Sequence, residues 1–376
     1  MNWLLIFIPA SVVLELMHAP ASLIFLSSAI AIVPLAGWLG RATEQLAEHT
    51  GDGIGGLLNA TFGNAAELII SIAGLQHGLY NVVKASLTGS IIGNLLLVLG
   101  ASVLAGGLKY KEQRFNQQAA SAQSTLMMLA AIGLVIPAGF HHLTAGTPAR
   151  ASESTVSLLI AAVLIIAYCL NLLFSLKTHR HFYDAEDIDV SADPPEETDQ
   201  KNLDAIAYEE TPWTLRKAML VLAGATALVA WMSEILVGSV EKAALSFGMT
   251  SVFVGVVVVA IVGNAAEHST SVYVAMKDRM DLSLAISLGS STQIAVFVAP
   301  VLVFVSRFVG PAPMDLVFSP TEVLAVFLAA WIAAQICSDG TSNWIEGAQL
   351  LAVYAILAIA FYFLPDAQAV PAAGHP

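Results

Sequence analysis

Long apolar runs separated by short polar breaks occupy almost the whole chain. A helix needs about 20 apolar residues to cross the hydrocarbon core of a bilayer. The runs predict eleven helices, at residues 3–18, 21–43, 53–77, 79–106, 118–140, 153–176, 214–240, 250–276, 281–308, 319–337 and 344–364. We therefore expect an all-α, polytopic membrane protein with about eleven transmembrane helices.

One pentapeptide occurs twice, in the middle of the third and of the eighth predicted helix. Residues 63–67 and 263–267 both read Gly-Asn-Ala-Ala-Glu. A carboxylate at the centre of a membrane span costs roughly 2.5–3.5 kcal/mol on insertion scales. A chain that contains two such carboxylates in one repeated motif is expected to use both of them on something that crosses the bilayer.

The positions of the two copies predict an inverted repeat. Each copy lies on the second member of a set of five helices, counted after one leading helix. The pairs Gly89-Ser90 and Gly289-Ser290 keep the same offset of 200 residues. Because each set has an odd number of spans, the second runs opposite to the first, as in many secondary transporters. The predicted units are a leading helix at 1–20, five-helix repeats at 21–178 and 213–376, and a loop at 179–212.

The charges predict an orientation. With the N-terminus in the cytoplasm and the C-terminus outside, eleven of the fifteen Lys and Arg residues fall in cytoplasmic loops, as the positive-inside rule requires. The loop between the repeats is then cytoplasmic, and between Phe182 and Glu210 it holds eleven acidic residues against one lysine. This loop carries −10 of the net charge of −13. The acidic composition of the chain therefore comes mainly from the loop and not from the membrane helices. No nucleic-acid partner is expected.

The motif offers oxygen ligands. Asn64 and Glu67 are three residues apart and share one face of a helix, and Asn264 and Glu267 repeat this spacing. Antiparallel packing would bring the two carboxylates together near the midplane. Calcium prefers six to eight oxygen ligands, whereas no Cys or paired His stands near by for zinc or copper. The candidate cation-binding set of the motifs is Gly63, Asn64, Glu67, Gly263, Asn264 and Glu267.

Neighbouring helices offer further oxygens. Ser90 and Asn94 lie on the fourth helix, and Ser290, Ser291 and Gln293 lie on the ninth. We expect Ser90, Ser290 and Gln293 to face the cation, while ordinary interhelical hydrogen bonds remain the alternative for all five.

Proton coupling follows from the same carboxylates. Two carboxylates in one pocket of low dielectric cannot both stay ionised without a cation, so protons and a divalent ion compete for their oxygens. His268 follows Glu267 and is a candidate proton relay, or a packing residue. Glu44 and Glu234 lie near the ends of predicted spans and are candidates for attracting cations at the inner and outer mouths of the ion pathway. The alternative is that they are ordinary acidic residues at the membrane interface.

The two motifs resemble those of the calcium/proton exchangers, a branch of the calcium/cation antiporter superfamily. The segments Ala42-Thr43-Glu44, Ser233-Glu234 and residues 289–293 are also similar to that family. The resemblance implies one leading helix, two inverted five-helix repeats, and calcium exchanged for protons at Glu67 and Glu267. Sodium/calcium exchangers of the superfamily carry hydroxyl and proline residues where this chain has alanines, which favours proton coupling.

The hypothesis is therefore a calcium/proton antiporter of a bacterial-type plasma membrane, and not an enzyme. Its partners would be Ca²⁺, H⁺ and the lipid bilayer, with Ca²⁺ as substrate and no cofactor; a homo-oligomer stays open. A Na⁺/H⁺ or K⁺/H⁺ antiporter, or a Na⁺/Ca²⁺ exchanger, using the same site is the close alternative. An intramembrane hydrolase and a channel are more distant ones.

Overall fold

A computed structural model describes residues 2–50, 55, 57–58, 61–179 and 213–364. Nearly all of these residues are helical. The helices are α1 (Asn2–Leu16), α2 (Ala21–Thr50), α3 (Ala65–Gln76), α4 (Tyr80–Lys109), α5 (Gln117–Leu143), α6 (Pro148–Thr178), α7 (Leu215–Phe247), α8 (Ser251–Gly263 and Ala265–Ala275), α9 (Met280–Val305), α10 (Pro320–Ile336) and α11 (Trp344–Phe363). The acidic stretch between Phe182 and Glu210 lies outside the described residues.

The helices confirm an all-α membrane fold. In the described part of the chain, seven helices are long and apolar enough to cross a membrane, and the bent α8 would be an eighth. The helices α1, α3 and α10 are apolar but shorter. The count of eleven spans therefore stays a prediction.

The two motif helices are broken at the motif, so the prediction of unbroken helices over 53–77 and 250–276 was wrong. The two halves of α8 meet at Asn264 with a bend of 62°. Asn64, which precedes α3, has almost the same backbone angles as Asn264 (φ −99° and −98°). Glycine is a weak helix former and asparagine competes for backbone hydrogen bonds, which explains a break at each Gly-Asn pair.

Four of the described helices, α4, α6, α8 and α9, contain a wide π-helical turn, and the turns of α4 and α9 lie at corresponding positions. In α4 the turn covers Gly93–Val98, and in α9 it covers Ile294–Val298. Their starts differ by about the same 200 residues that separate the motifs. Such turns are rare overall but frequent at functional sites. The α9 turn follows Ser290 and Gln293, and the α4 turn follows Ser90 and contains Asn94.

Helices α4 and α8 cross at van der Waals distance. A Cβ atom on Gly89 would lie 2.0 Å from the carbonyl oxygen of Val256, and one on Gly255 would lie 2.8 Å from the Cβ of Ala85. Only glycine fits at these two positions. The close crossing brings the polar residues of α4 next to the second motif.

The apolar core has two main parts. One cluster joins α2, α3, α7 and the first half of α8, and includes Ile32, Ile70 and Val229. The larger cluster joins α4, α5, α6, α9, α10 and α11, and includes Leu96, Leu134 and Val298. The polar site lies where α3 and α8 of the first group meet α4 and α9.

The loops meet at two opposite faces. On one face the Tyr80 hydroxyl donates to the carbonyl of Ala312 at 2.6 Å and accepts its N–H at 2.7 Å. On the other face strand β1 (Gln113–Arg114) pairs antiparallel with β2 (Thr341–Ser342). Following the predicted orientation, we call the first the outer face and the second the inner face. Which of them is cytoplasmic stays a prediction.

Candidate ion-binding site between the two repeated motifs

The asparagine of the first motif is held by the second half of the chain. Asn64 is 1% exposed. Its amide nitrogen donates to Gln293 Oε1 at 2.6 Å, and its oxygen accepts from the Ser290 hydroxyl at 3.1 Å. Both partners lie on α9. The structure thus joins Asn64, Ser290 and Gln293 by hydrogen bonds between helices, and their contact with a cation stays a prediction.

The asparagine of the second motif is held by the first half in the same way. The Asn264 amide nitrogen donates to the Ser90 hydroxyl at 2.9 Å. Asn94 donates to Asn264 Oδ1 at 3.5 Å and to Ser290 Oγ at 3.0 Å. A continuous set of amide and hydroxyl groups therefore joins α4 and α9 to both motifs.

The two glutamates lie close to each other at this crossing. Glu67 is 8% exposed, and its Oε1 is 3.1 Å from the point where a Cβ on Gly263 would lie. Its carboxylate therefore packs against the glycine of the other motif. The carboxylates of Glu67 and Glu267 are near enough to interact electrostatically.

One carboxylate oxygen has no protein partner. Glu267 Oε2 is buried and makes no hydrogen bond to any described residue. An unpaired buried carboxylate oxygen costs free energy unless a cation or a proton satisfies it. Glu67 and Glu267 each lie in the first turn of a half-helix, where free N–H groups and the helix dipole favour negative charge.

The donor set contains only hard ligands. Carboxylate, amide and hydroxyl oxygens are those that Ca²⁺ takes, and its flexible coordination tolerates an irregular arrangement. Over the described ranges, no group of three or more His, Cys, Asp or Glu side chains could hold a metal ion. The preference for calcium over zinc or copper stays a prediction.

His268 reaches this network through Asn94. Its Nε2 atom is 3.1 Å from Asn94 Oδ1. Since the Asn94 nitrogen donates to Ser290 and Asn264, the oxygen is the acceptor, and His268 Nε2 carries the hydrogen. Sequence reasoning left Asn94 out of the main candidate set. The signal that could have placed it there is its spacing of four residues from Ser90 on one helix.

The other candidate residues lie outside the network. The Ser291 hydroxyl donates to the carbonyl oxygen of Ser287 in its own helix at 2.9 Å. It also lies 3.3 Å from the carbonyl oxygen of Ile91 on α4. Glu44 and Glu234 are both exposed, and Glu234 pairs with His77 at 2.9 Å on the outer face. Their role at the mouths stays a prediction.

The surroundings of the site differ between the two faces. Ser269 and Thr270, just beyond Glu267 towards the inner face, are exposed. Their counterparts at the offset of 200 are Ile69 and Ile70, and Ile70 is buried. On the outer side Ile70 lines a void of only about 10 Å³, at the limit of one water molecule. The residues on the inner side of Glu267 are thus more exposed than their counterparts on the outer side of Glu67.

A helical membrane fold with two broken helices that meet at midspan is typical of secondary transporters. Comparison with known proteins gives the family. The model of the family described as "Sodium/calcium exchanger protein" matches residues 21–177 and 217–363, and the chain belongs to that family.

Individual relatives and a solved structure agree with this. The chain is 48% identical over 373 residues to the Ca(2+)/H(+) antiporter of a Synechocystis species, with 96% of each chain covered. It is 46% identical over 362 residues to the Ca(2+)/H(+) antiporter of Aphanothece halophytica, again with 96% of each covered. The structure of native YfkE, 42% identical, matches 95% of this chain and 97% of its own with a TM-score of 0.77. The resemblance to calcium/proton exchangers is confirmed, and the protein is a transporter and not an enzyme.

Proposed function

We propose that the protein exchanges Ca²⁺ for H⁺ across the membrane at the site between the two motifs. The observation that carries the proposal is the pair of motif carboxylates, with Glu67 buried against Gly263 and one buried oxygen of the half-buried Glu267 unpaired. Relatives at 46–48% identity over almost the whole chain are named Ca(2+)/H(+) antiporters, which supports these two ions as the substrates.

The charge of the two carboxylates matches the charge of one calcium ion. With Ca²⁺ bound between Glu67 and Glu267, both carboxylates are ionised and the pocket is neutral. When the ion leaves, the two carboxylates repel each other in a medium of low dielectric, and protons replace the metal. Ions and protons therefore exclude one another, and this exclusion is what couples their movements.

The amide and hydroxyl groups position the carboxylates and complete the ligand set. Asn64 and Asn264 each keep a second lone pair on the side-chain oxygen for the ion, and Ser90, Ser290 and Gln293 fix their orientation. In the same proposal Gly63 and Gly263 let the ion and the facing helix approach the backbone. His268 would pass protons to or from the network through Asn94.

Transport requires that the filled pocket face each side in turn. Ser269 and Thr270, on the inner side of Glu267, are exposed, and we propose that they line an opening through which this conformation takes up calcium from the cytoplasm. In the predicted orientation the protein lies in a bacterial plasma membrane, expels calcium and is driven by the inward proton gradient. Glu44 and Glu234 would attract cations at the inner and outer mouths.

Calcium-45 flux into proteoliposomes tests the proposal. An imposed pH gradient should drive calcium uptake that an added sodium or potassium gradient leaves unchanged. Glu67→Gln and Glu267→Gln should each reduce uptake to the level of empty liposomes, whereas Glu112→Gln, on an exposed inner loop, should leave it intact. Uptake that depends on sodium and moves no protons would instead assign a Na⁺/Ca²⁺ exchanger.

A further inference from the structure

Four serine hydroxyls meet between the ion site and the inner face. They belong to Ser102 on α4, Ser271 on α8, and Ser283 and Ser287 on α9, and each of these residues is at most 1% exposed. The Ser271 oxygen lies 3.0 Å from that of Ser102, 2.8 Å from that of Ser283 and 3.0 Å from that of Ser287. Ser271 is therefore the centre of this group, which we call the serine cluster.

The Ser271 hydroxyl joins α8 to both neighbouring helices. Ser287 gives its own hydrogen to the carbonyl oxygen of Ser283 at 2.9 Å. The Ser271 hydroxyl therefore donates to α9, either to the Ser287 oxygen or to the Ser283 carbonyl, which lies at 3.2 Å. Its two lone pairs remain for the hydroxyls of Ser102 and Ser283. One donated and two accepted hydrogen bonds are the full capacity of a serine hydroxyl.

Close packing of these helices does not itself require hydroxyl groups. Serine often joins membrane helices by hydrogen bonds, so packing is the simplest explanation of the cluster. At the offset of 200 residues, however, the counterparts of Ser102, Ser283 and Ser287 are the buried residues Leu302, Val83 and Leu87. Helices α3 and α4 still pack closely there, since a Cβ on Gly74 would lie 2.5 Å from Val83. The second motif therefore has a polar fastening where the first has apolar contacts.

The serine cluster lies one helical turn from the second carboxylate. Glu267 and Ser271 are four residues apart on the half-helix Ala265–Ala275, so they share one of its faces. This half-helix follows the break at Asn264, and its direction differs by 62° from that of the first half of α8. One buried oxygen of Glu267 has no partner in the described part of the chain. The serine cluster thus fastens the half-helix to α4 and α9 close to a carboxylate that no bond at this oxygen holds in place.

The first carboxylate has no equivalent fastening. Ser71 follows Glu67 by four residues, as Ser271 follows Glu267. Ser71 lines the void of about 10 Å³ together with Val83, and within the described residues its hydroxyl is joined to no other helix. The two half-helices that carry the glutamates are therefore held in different ways.

We propose that Ser271 is a positioning residue for the ion site, because the serine cluster sets the direction of the half-helix that carries Glu267. The inference rests on the proposed function, since it concerns the same site. Without the Ser271 hydroxyl, Ser102 and Ser283 lose an acceptor, and the half-helix is free to turn about Asn264 and to move Glu267 away from the ion. Residues that hold metal ligands without touching the metal change its affinity by about 10–100-fold when they are substituted.

Equilibrium binding of calcium-45 to the full chain in detergent tests this role. Ser271→Ala should raise the dissociation constant about tenfold, while the maximal rate of calcium-45 uptake by proteoliposomes at saturating calcium is retained. Ser102→Ala removes one bond of the cluster from α4 and should raise the constant in the same direction. Ser71→Ala is the matched control, because it removes the serine at the same place after the first motif, and both values should stay unchanged.

Two results would overturn the proposal. One is an unchanged dissociation constant in Ser271→Ala or in Ser102→Ala, with only the unfolding midpoint lowered, since the cluster would then serve packing alone. The other is a rise in Ser71→Ala equal to that in Ser271→Ala. Binding is measured without a proton or sodium gradient, so a chain that exchanges calcium for sodium would fail the proposed function and still show the shift in Ser271→Ala.

Discussion

Asn94 connects the two motifs through a single amide group. Its nitrogen donates to Ser290 and to Asn264, and its oxygen accepts from His268. Ser290 in turn donates to Asn64. Loss of the buried Ser290 hydroxyl leaves the Asn64 oxygen without its donor and removes one of the two acceptors of the Asn94 nitrogen. Individual polar atoms therefore set the geometry of the carboxylates.

The first prediction concerns Ser290→Ala. It should raise the calcium concentration for half-maximal uptake about tenfold, since unsatisfied buried polar groups cost about 1–3 kcal/mol. Ser291→Ala is the control, because that hydroxyl bonds backbone carbonyls and not the motif. The measurement is initial calcium-45 uptake at a fixed pH gradient. Equal effects of the two substitutions would remove Ser290 from the site.

At the scale of elements, the breaks in α8 and before α3 define the site. The sequence indicated the residues of the site, because the repeated motif and the offset of 200 residues match Asn64 with Asn264 and Ser90 with Ser290. It did not predict the breaks, because the apolar runs continue through Gly63-Asn64 and Gly263-Asn264 and hydropathy does not record backbone angles. The π-helical turns were missed for the same reason.

The crossing of α4 and α8 gives a second prediction. Gly89→Ala should destabilise the protein by about 1–3 kcal/mol, because the new methyl group would lie 2.0 Å from Val256 O. Gly224→Ala should be tolerated, since no heavy atom lies within 4 Å of its Cβ position. Thermal unfolding in detergent compares the two variants. An unfolding midpoint for Gly89→Ala equal to that of Gly224→Ala would show that the helices do not cross at this point.

A third prediction concerns the two halves of the ion pathway. In a background without Cys169 and Cys337, Thr270→Cys should react readily with a water-soluble maleimide, because Thr270 is exposed towards the inner face. Ile70→Cys should react far more slowly, because Ile70 is buried beside a void of about 10 Å³. Mass spectrometry of timed samples gives both rates. Similar reaction rates for the two cysteines would contradict a site that is closed on its outer side.

At the scale of the whole molecule, we propose that two oppositely directed halves share one site. The family, the helical fold and the class of transporter follow from the repeated pentapeptide and the apolar runs. The acidic stretch between the repeats is evident in the composition, but its role cannot be deduced from charge alone. The predicted orientation in the membrane rests on the distribution of lysine and arginine, because the fold itself does not show which face is cytoplasmic.

Competition between ions and protons gives a fourth prediction. Calcium and protons share the oxygens of Glu67 and Glu267, so calcium affinity should weaken as pH falls. The dissociation constant should rise by about tenfold per pH unit for each proton displaced. Calcium-45 binding to the detergent-solubilised protein at several pH values measures this slope. A pH-independent dissociation constant would mean that protons bind elsewhere.

The most direct test is to count the protons released when calcium binds to the solubilised protein in weakly buffered solution. Our account predicts that the unchanged chain releases protons on calcium binding at a pH where the empty site is protonated. Glu67→Gln and Glu267→Gln should each lose both the binding and the release. Calcium binding that releases no protons at any pH, or that survives either substitution undiminished, would contradict a shared two-glutamate site.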